Sequence, residues 1–392
     1  MAERGTTRYA LSGAGNRAWT AYLPLFGPQA HASGIGTLVA VADTDPAQLS
    51  AVTERWEVPT YSGGVRALLD DARPHVLIVT APDHAHAEQI EAALAAGVDV
   101  LTEKPMTLTA AQAASVVAAE RRSPASVRVA HNMRHLNLHQ AIKRLLDQGA
   151  IGTPTQAHLS YRLRPGHGHS YFLRWHRKAA ASGGLQITKS CHHFDLLNWW
   201  LADRPQEVVG WTRRVHYQSG PGTDHDRRVP VDADIADTLS AAVRYRGGAV
   251  AHYSLSARSP WEGYTLTVQG TRGELTTRYE ASPPDGARMT RHYTIRLSRL
   301  DGPVQSVTIP RERGRHSGAD LRMITALLRQ PAPERENQAA TAVDGAYAVA
   351  TGEALTRSAA GGGPVAVDEL LPGISGSADI TAPAATTTRR DV

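Results

Sequence analysis

From residue 8 to residue 131, apolar runs alternate with helical stretches. The runs are RYALSGAG, TLVAVADTD, HVLIVTAP, VDVLTEKP and SVRVAHNMRH. Between them lie AWTAYLPLF, PAQLSAVTERW, HAEQIEAALAAG and TAAQAASVVAAERR. A strand that is apolar at nearly every position, rather than at every second one, must be covered on both faces. Strands of that kind separated by helices predict a parallel sheet with helices packed on either side. Local punctuation agrees: Pro46 stands where a first-turn proline is tolerated, and Gly97 stands where a helix closes.

After residue 132 the pattern changes. HQAIKRLLDQGAIG reads as a helix closed by Gly149, and residues 185–202 read as one further helix. The strand-like runs EVVGWTRRVHYQ, DTLSAAVRYRGGAVAHYSLSAR, GYTLTVQGTRGELTTRYE and HYTIRLSRL follow, with RGGAV and GTRGEL as hairpin turns. The fold class expected is α/β: an N-terminal Rossmann fold over residues 1–131, then an α+β domain over 132–372 built on an open, largely antiparallel sheet. GADLRMITALLRQ and QAATAVDGAYAVATGEALTRSAA are read as helices closing that second domain. Residues 373–392 are small, polar and proline-containing, which predicts a disordered tail, and loop 218–232 is polar. A length of 392 residues suits two domains.

Composition narrows the function. A single cysteine, Cys191, excludes an intrachain disulfide and fits a reducing, cytoplasmic setting. No run of about 18 apolar residues predicts a membrane span. The net charge of +5 raises the question of nucleic acid. The arginines are scattered, however, with no basic cluster interleaved with aromatics, and attraction of an anionic small ligand explains the charge as well. Of 42 Lys+Arg residues only four are lysine: Lys104, Lys143, Lys178 and Lys189. Where arginine is the default cation, a lysine hints at chemistry that needs a removable proton.

Gly13-x-Gly15-x-x-Ala18 follows the first strand and opens a helix. In that setting the turn Gly13, Ala14, Gly15, Asn16, Arg17 brings backbone close to a pyrophosphate on the helix N-terminus. The second strand ends in Asp43, an acid placed to accept from ribose hydroxyls and to repel a 2′-phosphate, which favours NAD over NADP. Asp45 could take that role, and an ordinary tight turn would look the same. Lys104 ends the fourth strand, at the edge where open parallel sheets bind ligands; alone it reads more readily as a surface salt bridge. No metal site is expected, because His84, His86, His167 and His169 lack a completing acid or cysteine cluster. No G-x-S-x-G elbow occurs, which disfavours a serine hydrolase.

The chain resembles the Gfo/Idh/MocA oxidoreductases over roughly residues 8–372. The likeness rests on Glu103-Lys104-Pro105, TAPDHAHAE with His86, IKRLLDQGAIG, SGGLQITKSCHHFDLLNWW, LTVQGTRGEL and AYAVATGEAL. The resemblance implies hydride transfer at a carbon of a sugar or polyol, with the active site between two domains. It implies cofactor contacts from the glycine turn, Asp43, Thr80, Pro82, His86, Glu103 and Lys104, and a homodimer or homotetramer packed through open sheets. Lys104 matches the family lysine that polarises the reacting oxygen.

Laid without gaps on the family helix, His192 takes the catalytic histidine's place and Asp195 the last acid's. Thr188 stands where the family has Asp. His193 is the alternative catalytic histidine, and both could instead be satisfied core residues. Arg134, Trp175, His176, Thr188, Lys189, His192 and His193 are the expected substrate contacts, with Lys189 disfavouring protonation of His192. The departure at Thr188 leaves open a redox-neutral glycosidase or eliminase with bound NAD. A non-catalytic NAD-binding sensor is a further alternative.

Overall fold

The computed structural model describes residues 6–27, 35–218, 229–328 and 338–374. Most of loop 218–232, and the expected tail beyond residue 374, lie outside the described residues.

The first sheet contains β1 (Arg8–Ser12), β2 (Thr37–Ala42), β3 (Thr60–Tyr61), β4 (Val76–Val79), β5 (Asp99–Thr102) and β6 (Val127–Val129). They pair in parallel in the order β3-β2-β1-β4-β5-β6, the doubly wound arrangement with its reversal between β1 and β4. Beyond their first residues, β1, β4 and β5 are buried at every position, as strands covered on both faces must be. Two local readings are corrected. β3 escaped the pattern because two residues carry no period. The stretch after the glycine turn is not an α-helix: Ala18–Tyr22 is π-helical and Leu23–Phe26 is 3-10. The buried Tyr22 hydroxyl donates to Glu103 Oε1 at 2.8 Å, which ties this irregular turn to the end of β5.

The second sheet uses β7 (Pro154–Arg162), β8 (Pro205–Arg213), β9 (Thr238–Tyr245), β10 (Val250–Ser256), β11 (Glu262–Gly270), β12 (Gly273–Ser282), β13 (His292–Arg299) and β14 (Gln305–Pro310). Its order is β14-β13-β12-β11-β7-β10-β9-β8, antiparallel except for β7 with β10. Buried and exposed positions alternate along β13 and β9, so one face packs and the other is open. Two short strands complete the sheets. β15 (Ala340–Thr341) joins the first sheet antiparallel to β6, and β16 (Val365–Ala366) joins the second beside β8.

Helix Ala319–Leu328 does not close the second domain as its position in the chain suggested. Its Met323, Ile324 and Leu328 pack with Tyr9, Leu11 and Ile78 of the first sheet. The Tyr9 hydroxyl donates to Leu328 O at 2.5 Å. Helix Ala342–Gly361 runs between the two halves, against β8, helix Ala110–Arg122 and helix Cys191–Leu201. Close approach is possible because Gly352 faces the Gln186 carbonyl, where a Cβ would overlap it.

The expected helix over 185–202 is two pieces, Leu185–Thr188 and Cys191–Leu201. Ser190 makes the break: its amide, at 2.8 Å, and its hydroxyl, at 3.0 Å, both donate to Leu185 O. No helix among the described residues is long and apolar enough to cross a membrane.

Candidate active site

The glycine turn separates two demands. Gly13 has φ +93°, and a Cβ there would overlap the backbone of Thr80 and Ala81, so the fold itself requires glycine. A Cβ on Gly15 would meet nothing within 4 Å. The chain does not need glycine at 15; a ligand lying against the backbone would. Thr80 Oγ1 donates to Gly13 O at 2.6 Å and fixes the turn to the end of β4. Asp43 closes the other side, its Oδ2 accepting from the Ala14 amide at 2.6 Å. Asp45 is occupied as a helix cap, accepting from Ala47 N at 2.9 Å. Exposed Asn16 and half-buried Gly15 lie at the open side of the turn. These residues fit a dinucleotide.

Three of the expected cofactor contacts have other duties. Arg17 turns away from any phosphate: its Nε donates to Glu103 Oε1 at 2.6 Å and its Nη1 to Asp320 Oδ2 at 2.7 Å. Its charge is consumed there, and Glu103 is occupied in the same network. His86 is buried, with Nδ1 2.7 Å from Pro105 O and Nε2 2.8 Å from Ala81 O. It clamps the loop after β4 to the loop after β5 and has no nitrogen left for a ligand. Pro82 begins that clamped loop.

Lys104, half-buried at the end of β5, donates from Nζ to Thr188 O at 2.9 Å. In an unbroken helix that carbonyl would accept from the amide four residues on. The break at Ser190 frees it, and so Lys104 is joined to the second domain. His192 lies one turn further. Burial first, then Lys104, His131 and Lys189, push its imidazole well below the usual range. Lys189 therefore contributes in the expected direction, behind burial and Lys104. His192 Nδ1 is buried with no hydrogen-bond partner. A neutral imidazole with an unused nitrogen, beside an amine, can accept a proton.

Sequence reasoning missed His131, although it follows β6 at the same sheet edge as Lys104. Its ring meets that of His192 edge-on at 5.8 Å. Both its nitrogens are buried without a hydrogen bond, and Nδ1 is 3.9 Å from Asp195 Oδ2. Asp195 is held by Arg134, whose Nε and Nη2 donate to it at 2.8 and 2.6 Å. Arg134 is thus a buried structural cation and not a substrate contact. His193 is likewise corrected: it is fully buried, packs tilted against the Tyr161 ring at 4.0 Å, and pairs through Nδ1 with the Tyr253 hydroxyl at 2.7 Å. Burial also pushes the Cys191 thiol up to about 12, which removes it as a nucleophile.

The remaining expected contacts make aromatic and cation contacts of their own. Trp175 stacks on His176 at 3.7 Å, with His84 edge-on to Trp175. His176 is pushed down to about 4 by burial first and then by Lys104. Lys189 lies 5.0 Å from the centre of the Tyr161 ring. Glu262, at the start of β11, accepts from or pairs with His167 Nδ1 at 2.8 Å, and both feel Lys189. No local pattern marks Glu262, because only the pairing of β11 with β7 brings it here. No group of three or more His, Cys, Asp or Glu able to hold a metal ion occurs among the described residues.

Two family models match the chain. "Oxidoreductase family, NAD-binding Rossmann fold" covers residues 7–131, and "Oxidoreductase family, C-terminal alpha/beta domain" covers residues 143–367. The oxidoreductase YteT of Bacillus subtilis is 31% identical over 393 residues, spanning 85% of this chain and 92% of that protein. The 1,5-anhydro-D-fructose reductase of Ensifer adhaerens is 26% identical, spanning 83% of this chain and 90% of that protein. A solved structure of levoglucosan dehydrogenase with NADH and levoglucosan matches with a TM-score of 0.72 at 18% identity, over 92% of this chain and 99% of that one. That last likeness is one of fold.

Proposed function

The chain belongs to the Gfo/Idh/MocA oxidoreductases, and from that premise we propose that it is an NAD-dependent dehydrogenase or reductase acting on a secondary alcohol or ketone of a sugar, inositol or sugar-like substrate. The observation that carries this reading is the bond from Lys104, at the carboxyl edge of the first sheet, to the segment that leads into the helix of His192. Lys104 is bound to the carbonyl of Thr188, just before the helix that carries His192, although 84 residues separate the two. A bound nicotinamide supplies the hydride acceptor or donor. In the oxidative direction His192, held neutral, takes the hydroxyl proton. Lys104 hydrogen-bonds the same oxygen and stabilises the charge that develops on it. In reduction His192 returns the proton. Trp175 offers an apolar wall to a sugar face, and Glu262 and Lys189 offer an acceptor and a donor to its hydroxyls.

A screen for NAD reduction over sugars, inositols and aminosugars tests the reading. It expects turnover proportional to NADH formed, whereas no nicotinamide reduction or oxidation with any of these classes would sink it. Thr188 in the place of an acid favours a second reading, a redox-neutral glycosidase or eliminase. That enzyme would release product with no net change in nicotinamide absorbance.

NAD is favoured over NADP by Asp43, whose carboxylate stands at the end of β2 against the glycine turn. NAD should therefore bind more tightly than NADP, and Asp43→Ala should narrow the gap. Equal affinity of the unmutated protein for both would count against this role. Assembly as a homodimer or homotetramer through the open face of the second sheet belongs to the same proposal. Light scattering on the purified protein tests it, and a monomer would refute it.

A further inference from the structure

The break before His192 has no local cause in the sequence, since residues 185–202 contain neither glycine nor proline. A side chain inserted into the helical ladder accounts for it. Leu185 O gathers three donors: the amides of Lys189 at 3.2 Å and Ser190 at 2.8 Å, and the Ser190 hydroxyl at 3.0 Å. A carbonyl can only accept, so the Ser190 hydroxyl hydrogen is committed to it. Ser190 Oγ must then accept from its other neighbour, the Tyr253 hydroxyl, at 2.8 Å. With that hydrogen committed as well, the Tyr253 oxygen accepts from His193 Nδ1 at 2.7 Å. The hydrogen bonds therefore run one way, from His193 through Tyr253 and Ser190 to Leu185 O, and they put the His193 proton on Nδ1. All four residues are buried, so water does not compete for these bonds. Tyr253 is itself fixed by the second sheet: it lies on β10, paired with Leu159 of β7 on one side and Ala241 of β9 on the other.

We propose that Ser190 and Tyr253 are positioning residues for Lys104: by keeping the helix broken, they hold Thr188 O open to the Lys104 amine, 2.9 Å away. The proposal rests on the reading of Lys104 as the residue that meets the reacting oxygen. In a continuous helix Thr188 O would point along the axis at the His192 amide, four residues on. Lys104 would then lose its partner in the second domain. A strand of the second sheet thus decides where an amine of the first domain points. His193 only begins the series, because the bond to Ser190 is made with the hydrogen of Tyr253 itself.

Two substitutions test this. Ser190→Ala removes both hydroxyl bonds and puts the best helix former at the break. Tyr253→Phe removes one hydroxyl and keeps the ring. A crystal structure of each variant reads the geometry without any substrate, and Lys104 Nζ is expected beyond hydrogen-bond distance of Thr188 O in both. In turnover, kcat should fall by up to about 10²-fold, the loss that misplacement by about 1 Å brings, with KM and NAD affinity changed little. Because the two hydroxyls act in one series, the double variant should be no slower than the slower single variant. A merely structural role would lower the melting temperature and leave kcat where it was. Should one variant not fold, the other is read alone.

Lys104 Nζ still on Thr188 O in a variant that folds, or an unchanged kcat, overturns the proposal. So do losses in kcat that multiply in the double variant. The two levels of inference fail separately. If the lysine moves as expected but the unmutated protein turns over no sugar or polyol, the proposed function fails and the positioning geometry stands. If the unmutated protein turns over and both variants match it with the lysine in place, the positioning role fails and the function stands.

Discussion

Two side chains carry the proposed chemistry, and each has its own expected signature. Lys104→Met removes the amine beside the reacting oxygen and should lower kcat by about 10²–10⁴, the range general acid–base groups supply. NAD affinity should change little, because the glycine turn does not contact the Lys104 side chain. Steady-state kinetics and cofactor titration check both halves. His192→Ala should fall in the same range. His193→Ala should cost stability rather than chemistry, since that ring is closed in by Tyr161 and Tyr253. The depression of His192 has burial as its first cause and Lys104 as its second. In Lys104→Met its imidazole resonances should therefore titrate at higher pH than in the unmutated protein. NMR titration in which His192 does not move upward would remove the lysine from that role.

At the scale of elements, backbone and ion pairs join pieces that sequence alone keeps apart. Gly13→Ala forces an L side chain into a left-handed conformation and against the Thr80–Ala81 backbone. It should lower the melting temperature or prevent folding. Gly15→Ala meets no protein atom within 4 Å and should fold normally while weakening dinucleotide binding. Calorimetry of the two variants with and without NAD distinguishes a turn the fold needs from one the ligand needs. Arg134 joins the turn Asn132–His135 to helix Cys191–Leu201 through Asp195, and to helix Ala342–Gly361 through Asp344. Arg134→Met leaves the buried Asp195 and the half-buried Asp344 with less compensation and should cost about 3–5 kcal/mol in denaturant unfolding. A loss under 1 kcal/mol would mean the network contributes little.

For the whole molecule, buried histidines set the acid limit of stability. Burial pushes His139 and His135 down to about 3. In the unfolded chain the same groups titrate near an ordinary value of about 6.5. Between those two values the unfolded state binds more protons than the folded state, so stability falls as pH falls through that window. Each such histidine adds a slope of up to about 1.4 kcal/mol per pH unit. His139→Phe should flatten the stability curve between pH about 6 and 3 by one such slope. The site is otherwise aromatic, with Trp200, Tyr264 and Tyr279 around the ring. An unchanged curve would show that His139 does not limit acid stability.

The sequence by itself determined what is periodic or local. Continuous apolar runs between helices imply a doubly covered parallel sheet, and strand-like runs joined by hairpin turns after residue 132 imply a largely antiparallel one. The glycine turn and Lys104 were legible because they sit at strand ends, where the sheet edge gives position a meaning. What only the tertiary structure decided lies in pairings between distant segments. Arg17 looks like a phosphate ligand until Asp320, 303 residues away, claims it. The family likeness favours His192 over the adjacent His193, and it is Tyr253, 60 residues away, that holds His193 in the core. Local propensity specifies the backbone period, whereas burial, charge pairing and proton position depend on which surfaces meet, and those surfaces meet only once the chain has folded.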